Sequence, residues 1–246
     1  MLNSVLFNRT EERSVADVPK IIIIFLTLAF ILQVTWHVVR PPVTAHAETL
    51  PESPLGEKLE LISIGDPIAL SKIIMLWLQA FDNQPGISIP FKDLNYDRVI
   101  GWLDKVLFLD GKGQYPLLAA SRLYTEVPDD AKKRQMLEFV YEQFFVDPNR
   151  RWPALAHAVY VAKHRLKDLP LALRYAHAIS ENVTLNDIPY WVRQMEIYVL
   201  EDMGEIKSAK ILIGGLLESG AITDPHELEF LQERLQKLKG GQPQGN

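Results

Sequence analysis

The stretch NYDRVIGWLDKVLFLDG, residues 95–111, indicates how this chain folds. It begins with Tyr96 in an Asn-Tyr-Asp turn and ends on Leu-Asp-Gly, just past its last apolar residue. A helix with these two ends is typical of the second half of a helical hairpin. A similar pattern of apolar residues recurs further along the chain, so we predict that this stretch belongs to one unit of a stacked helical array.

Helix signals predominate from residue 66 onward. Asp66-Pro67 and Asp224-Pro225 each combine an N-cap residue with a proline at the first helical position. The predicted helices cover residues 67–82, 96–109, 114–126, 130–146, 152–166, 169–181, 188–203, 205–219 and 225–239. Strand-like alternation is confined to short pieces such as residues 87–90. The sequence therefore predicts an all-α fold in this region.

The second helices of successive hairpins recur at a nearly constant spacing. They superpose on Val99, Met136, Ala172 and Ala209, which lie 37, 36 and 37 residues apart. A fixed period of this length indicates repeated helix pairs that bury their apolar faces by stacking on their neighbours. The last predicted helix, residues 225–239, has an apolar stripe and a charged outer side, as expected of a helix that caps such an array.

The array resembles the tetratricopeptide repeat superfamily, whose unit is a 34-residue helix pair. The segments that carry the resemblance are YDRVIGWLDKVLFLD, DLPLALRYAHAI, GEIKSAKILIGGLL and the exit Val-Asp-Pro at residues 146–148. The first helices lack the family's Trp-Leu-Gly-Tyr signature, and the loop DNQPGISIPFKDL splits the first unit. The resemblance implies an α-solenoid of about four helix pairs plus a C-terminal capping helix, over residues 66–239. An irregular helical domain with an accidental period is the alternative.

An apolar segment precedes the array. Residues 21–39 contain no Asp, Glu, Lys or Arg and as a helix would cover about 28 Å, close to the thickness of a bilayer's hydrocarbon core. Lys20 and Arg40 bracket the segment, and Trp36 suits the headgroup zone at its C-terminal end. The sequence therefore predicts a single transmembrane helix that contacts the lipid bilayer.

The orientation of this helix follows from the flanking charges. Arg9, Arg13 and Lys20 lie on its N-terminal side, whereas Arg40 is followed by no further cation until Lys58. The positive-inside rule then predicts a short cytoplasmic N-terminus, residues 1–20, and a periplasmic C-terminal domain on a bacterial inner membrane. Secretion to the periplasm after cleavage at Ala47, in the A-x-A motif of residues 45–47, is the alternative.

Two further segments have the composition of connectors. Residues 40–65 are rich in proline, which predicts a semi-rigid linker between the transmembrane helix and the helical domain. Residues 240–246 are rich in glycine and glutamine, which predicts a flexible tail.

Composition argues against several classes of function. A net charge of −5 and a pI near 5.7 leave no basic footprint for nucleic acid. The chain has no cysteine and none of the common nucleotide-binding, hydrolase or zinc-protease motifs. We therefore expect no catalytic residue, no metal or cofactor site and no small-molecule substrate, and expect that the protein is not an enzyme.

The expected partners are proteins, including integral-membrane ones. Family spacing would turn polar side chains of the first helices of the third and fourth units toward a groove, although simple exposure to water is the alternative. An apolar helix and the long loop after it add three further candidates; for the helix, burial within the first two units is the alternative. The candidate partner-binding residues are His157, His164, Arg165, Gln194, Tyr198, Glu201, Trp77, Ile89 and Phe91.

The resemblance and the membrane segment together imply a role in protein assembly. We expect a membrane-anchored scaffold or adaptor with an extracytoplasmic helical domain, accessory to an envelope-assembly or secretion complex. The alternative is a constitutive structural subunit of a larger inner-membrane complex.

Overall fold

The computed structural model describes residues 18–40, 47–184, 188–220 and 222–240. These ranges contain twelve α-helices and one two-stranded hairpin, so the predicted helical fold class is confirmed. The chain divides into two compact units, Met1–Ala45 and His46–Asn246, called unit 1 and unit 2 below. Residues 1–17 of the predicted cytoplasmic segment, residues 45 and 46 of the predicted cleavage motif and residues 241–246 of the predicted tail lie outside the described residues.

The described part of unit 1 contains one helix, α1, Lys20–Val39. It is 20 residues long with a mean hydropathy of 2.3, which is long and apolar enough to cross a membrane. The hydroxyls of Thr27 and Thr35 donate to the carbonyls of Ile23 and Ile31, at 2.8 and 2.7 Å. Because these polar groups are satisfied within the helix, they do not require water.

Unit 2 contains the other eleven helices of the described residues. In chain order they are α2 Gly56–Ile62, α3 Pro67–Ala80, α4 Tyr96–Leu109, α5 Tyr115–Arg122, α6 Asp130–Phe144, α7 Pro148–Tyr160, α8 Leu169–Asn182, α9 Tyr190–Arg193, α10 Met195–Asp202, α11 Ile206–Glu218 and α12 Pro225–Lys239. The antiparallel strands β1, Asn83–Gln84, and β2, Ile87–Ser88, form the hairpin in the loop after α3. A π-helical turn, Val161–Arg165, extends α7.

Short polar residues define where the helices of unit 2 begin. The side chain of Asn95 accepts a hydrogen bond from the backbone N–H of Arg98 at the start of α4. Five aspartates do the same for α3, α6, α7, α8 and α12, namely Asp66, Asp129, Asp147, Asp168 and Asp224. These caps satisfy backbone donors that the first turn of a helix leaves unpaired.

The helices of unit 2 pack mainly on their neighbours in sequence. The four residues that mark the sequence period, Val99, Met136, Ala172 and Ala209, are all 0% exposed. One hydrophobic core extends from Leu50 to Val199, and a smaller cluster joins α10, α11 and α12. The periodic positions are therefore among the most deeply buried residues of their helices.

Polar side chains connect positions about one period apart. Arg134 donates to Asp168, Gln135 to Asp97, Arg165 to Glu126, Arg174 to Glu138 and Arg234 to Glu201, over separations of 33 to 39 residues. These bonds join α4 to α6, α6 to α8, and α10 to α12. Such nearest-neighbour contacts are what stacked helical repeats require.

Residues 47–62 were predicted as part of the linker, but the structure places them in the folded domain. Arg98 Nη1 donates to the carbonyl of Leu50 at 2.6 Å, and Trp102 Nε1 donates to that of Pro51 at 2.8 Å. Leu50 and Leu59 of this segment are both buried. The carbonyl groups of Leu50 and Pro51 fix this proline-containing segment on α4. A composition typical of linkers can therefore also occur in a segment that is held in place by hydrogen bonds to its carbonyl groups.

Candidate functional site

An open cleft of about 690 Å³ lies between α8, α10 and α11. The residues that line it are Pro170, Leu173, Arg174, His177, Glu196, Leu200, Met203, Ser208, Ile211 and Leu212. Most of this lining is apolar, and its charged groups lie on α8 and α10. We take this cleft as the candidate functional site.

Helical spacing explains why these side chains share one surface. On α8 the lining residues Leu173 and His177 are four apart, and on α10 Glu196 and Leu200 are also four apart. Residues at this spacing lie on the same face of a helix. The opposite face of α8 packs in the core, where residues such as Ala172 and Tyr175 are buried.

Ile211 is the most accessible apolar residue of the cleft. It is 76% exposed, although it lies in the interior of α11. Because α11 buries only Ala209 and Ile213 completely, apolar residues on its other side remain at the surface. Removing such side chains from water would favour association with an apolar partner.

A histidine bridges two carboxylates at the edge of the cleft. His177 Nδ1 lies 2.8 Å from Glu196 Oε1, and its Nε2 lies 3.4 Å from Glu181 Oε1. Ser180 Oγ lies 2.5 Å from Glu196 Oε2 and 2.9 Å from the carbonyl oxygen of His177, and its one proton is directed to the closer carboxylate. Since the serine hydroxyl donates to the carboxylate and not to the imidazole, this group lacks the hydrogen bond of a nucleophile to its base.

Arg174 forms a second charged element of the cleft. Its guanidinium pairs with Glu138 and stacks over the rings of Tyr141 and Tyr175, at 4.5 and 5.1 Å. Burial of Tyr175 raises the pKa of its phenol to about 12, so the ring stays neutral beneath the cation. The stacking orients Arg174 at the cleft while its charge remains accessible.

Three predicted partner-binding residues contact the capping helix. Gln194 is buried; it accepts a hydrogen bond from the hydroxyl of Tyr198 at 2.6 Å and donates to Glu227 of α12. Arg234 of α12 donates to Glu201 at 2.7 Å and stacks over the ring of Tyr198 at 4.5 Å. The structure therefore places Gln194, Tyr198 and Glu201 under α12 and not on an open groove.

Three other predicted residues lie on the surface of α7 and its π-helical turn. The half-buried ring of His157 stacks on Tyr160 at 5.6 Å, and Tyr160 contacts the exposed His164 at 4.8 Å. Arg165 pairs with Glu126, which follows α5. Burial, and then the charge of Arg122, lowers the pKa of His157. This surface is accessible, and its role in binding a partner remains a prediction.

The remaining predicted residues lie near the first helix pair. Trp77 packs edge-on against Phe81 and Trp102, with ring centroids 5.5 and 4.8 Å apart. Ile89 and Phe91, in the loop after α3, pack on the hydrophobic core. The loop that was predicted to recognise a partner therefore directs these two side chains inward.

The cleft was not predicted from the amino-acid sequence, although the apolar residues of α11 indicate it. The α11 segment IKSAKILIGGLLE has apolar residues around more of the helix than one buried stripe requires.

Within the described ranges, no group of three or more His, Asp or Glu residues could hold a metal ion.

No protein-family model, curated protein or solved structure matches this chain. Function must therefore be inferred from the chain's own surfaces and its apolar helix.

Proposed function

We propose that the protein is a membrane-anchored scaffold that binds other proteins at a bacterial inner membrane. In this proposal α1 is the anchor and unit 2 is a periplasmic, tetratricopeptide-like array that takes part in envelope assembly or secretion. The observation that carries the proposal is the open apolar cleft between α8, α10 and α11, with Ile211 exposed on it.

The form of the cleft favours a polypeptide partner. Small-molecule sites enclose most of their ligand, whereas this cleft is open to solvent along one side. An amphipathic helix could place its apolar side chains against Leu173, Leu200 and Ile211. Arg174 would then contact polar groups at the margin of the bound helix, which would favour one direction of binding.

A repeat-like arrangement of unit 2 is supported by two observations. The residues that mark the sequence period are completely buried, and polar pairs about one period apart join successive helix pairs. Stacked pairs of this kind provide extended surfaces on which a partner can bind. This supports an array of about four helix pairs that ends at α12.

A second candidate, a constitutive subunit of a larger membrane complex, is favoured by the exposed apolar side chains of α3. Purification in mild detergent distinguishes the two roles. A constitutive subunit co-purifies with its partners in fixed stoichiometry, whereas a scaffold yields substoichiometric amounts of the proteins it binds.

Photo-crosslinking at Ile211 tests the proposal. A photoreactive amino acid at position 211 of the full chain, activated in intact membranes, should give a discrete adduct with one partner protein. The same amino acid at Gln232, an exposed position on α12, is the matched control. We then expect Ile211→Glu to weaken binding of the purified partner by at least about tenfold, which is 1.4 kcal/mol.

The exposed position of Ile211 makes this variant informative, because a glutamate there can be solvated without disturbing the core. A partner that binds the Ile211→Glu variant as tightly as the wild-type chain would show that the cleft is not the binding site.

A further inference from the structure

A second apolar surface lies where the folded part of unit 2 begins. It is formed by α2, α3 and the turn between them, and is called the α2–α3 corner below. Its exposed apolar residues are Leu55, Leu61, Ile62, Ile64, Ile68, Ile73, Leu76 and Trp77. Because single exposed apolar residues are common but contiguous groups are not, this surface indicates contact with something apolar.

The tip of the corner is unfavourable for folding in water. The axes of α2 and α3 are bent by 109° at the turn, where Ile64 is 94% exposed. Ile64 has a φ of 51°, a left-handed conformation that β-branched residues rarely adopt. Neither burial nor backbone preference explains an isoleucine at this position, which points to a role outside the folded chain.

Helix α3 is apolar on two sides. Ile74, Met75 and Leu78 face the core, whereas Ile68, Ile73 and Leu76 are exposed on the outside. Lys72 is the one charged residue within the helix. The buried hydroxyl of Ser71 donates to the carbonyl of Ile68 at 2.8 Å, so it requires no further partner. Lys72 is exposed on this outer side, where its ammonium group could extend from the apolar region of a bilayer to the headgroups.

The shape and composition of the corner favour lipid over protein. Leu61 and Ile64 are 84% and 94% exposed, so they protrude and do not line a groove. Apart from Trp77, which is 38% exposed, the exposed apolar residues are aliphatic, whereas the centres of protein interfaces are enriched in aromatic residues, methionine and arginine. Taken together, α2 and α3 are apolar enough for a membrane segment but are sharply bent, which suits shallow insertion at the bilayer surface.

The length of the chain favours the same occupant. Helix α1 ends at Val39, and the folded domain begins near Ala47, since the backbone N–H of the next residue, Glu48, donates to Gln84 at 2.7 Å. Eight residues can extend at most about 29 Å. A tether this short maintains a high local concentration of any bilayer that holds α1, so a modest apolar area is sufficient for contact.

We propose that the α2–α3 corner inserts its aliphatic side chains into the surface of the lipid bilayer in which α1 is anchored. The inference rests on the membrane anchoring in the proposed function but not on the cleft. Insertion would keep unit 2 at the surface of that bilayer.

Fluorescence quenching in lipid vesicles tests the insertion. The natural chain has no cysteine, so the full-length variants Ile64→Cys and Ile73→Cys can each be labelled with one environment-sensitive fluorophore. In vesicles that contain brominated phospholipids, both labels should shift to shorter emission wavelengths and lose intensity. A label on Gln232→Cys, at an exposed position of α12, should do neither.

Two results would overturn the proposal. Quenching of the labels at 64 and 73 by aqueous iodide, to the extent seen at 232, would show that the corner lies in water. A shift to shorter wavelengths without quenching by the brominated lipids would show that a protein, including a second copy of this chain, covers it.

A variant of the corner provides an independent measurement. In the chain labelled at residue 73, Leu61→Glu together with Ile64→Gly should reduce lipid quenching, while Ile211→Ser should leave it unchanged. The double variant should remain folded because glycine suits the left-handed turn and Leu61 is exposed. Unchanged quenching in a folded double variant would contradict insertion. Crosslinking at Ile211 is measured separately, so failure of this inference and failure of the proposed scaffold role are distinguishable.

Discussion

Arg151 is a buried arginine whose guanidinium donates hydrogen bonds to oxygen atoms of two different turns. Its Nη1 donates to the carbonyl and the side-chain oxygen of Gln143, at 2.7 and 2.8 Å, and its Nη2 donates to the carbonyl of Gly111 at 3.1 Å. The side chain is 4% exposed, and this burial lowers its pKa while the charge of Asp147 opposes the shift. Arg151 therefore stabilises the contact between the α6–α7 turn and the α4–α5 turn.

We predict that Arg151→Lys lowers the free energy of unfolding by about 1–3 kcal/mol, because one ammonium group cannot reach both turns and leaves an acceptor unpaired. Urea denaturation followed by circular dichroism measures the change. Arg150→Lys is the matched control, since the exposed Arg150 pairs only with Asp147 across one helical turn. Equal effects of the two variants would contradict the role of Arg151.

Glu227 determines a pH dependence at the capping helix. It is 3% exposed, and its Oε2 has no hydrogen-bond partner among the described residues. Burial raises the pKa of this carboxyl, while the hydrogen bond from Gln194 and the charge of Arg193 oppose the shift and the charge of Asp224 adds to it. The folded chain therefore holds this proton more tightly than the unfolded chain does.

It follows that the contribution of Glu227 to stability is complete below the pKa of an unfolded glutamate and is lost as pH rises through the higher folded pKa. We predict that, from about pH 4 to pH 7, the wild-type chain loses stability relative to Glu227→Gln. Urea midpoints at both pH values measure this difference. The exposed Glu229→Gln variant is the control for loss of a charge on α12. A constant difference across this range would contradict the prediction.

At the scale of the element, Asp168 both caps α8 and connects it to α6. Its side chain accepts from the backbone N–H of Leu171 at 2.9 Å and from Arg134 Nη1 at 2.6 Å. The backbone hydrogen bond is the larger cause of its lowered pKa, and the hydrogen bond from Arg134 is the next. The stability that this aspartate contributes is therefore present at neutral pH and is lost as pH falls through its folded pKa.

Two substitutions separate these contributions. Asp168→Ala removes the cap and the ion pair and should cost about 1–2 kcal/mol. Asp168→Asn retains a capping oxygen and should cost no more than about 0.5 kcal/mol, because the pair with Arg134 is partly exposed and screened. Thermal unfolding of both variants at neutral pH measures the costs. Equal costs would show that the ion pair outweighs the cap.

Helix positions could be predicted from sequence, but helix ends and interruptions could not. The predicted helix 188–203 is divided at Gln194 into α9 and α10, and α7 continues into a π-helical turn that is followed by Lys167 with a φ of 54°. Periodicity identifies a buried stripe but does not detect one extra residue within it. An extra residue rotates the side chains that follow it around the helix axis. The spacing of the resembled family therefore could not predict which side chains face a groove.

At the scale of the whole molecule, the orientation of α1 decides where unit 2 can act. We predict that a membrane-impermeant maleimide labels Gln232→Cys in sealed spheroplasts of a bacterial host, because the cations on the N-terminal side of α1 favour a periplasmic unit 2. Glu12→Cys should be labelled only after the membrane is opened. The reverse pattern would invert the topology, and externally added protease, which should digest residues 58–239, provides a second measurement.

Elements that depend on local interactions could be predicted from the amino-acid sequence. Asp66, Asp129, Asp168 and Asp224 mark helix starts, the apolar run of α1 needs no other segment, and Val99 and Ala172 are buried as their period predicts. The start of α7 was predicted at residue 152, but Asp147, which was interpreted as part of a repeat exit, caps the helix at Pro148. Only the tertiary structure decided which surfaces remain open. α12 covers Gln194 and Tyr198, whereas Ile64 and Ile211 stay exposed. The physical reason is that exposure depends on which helix packs above a residue, through contacts more than thirty residues apart, and no local signal encodes that packing.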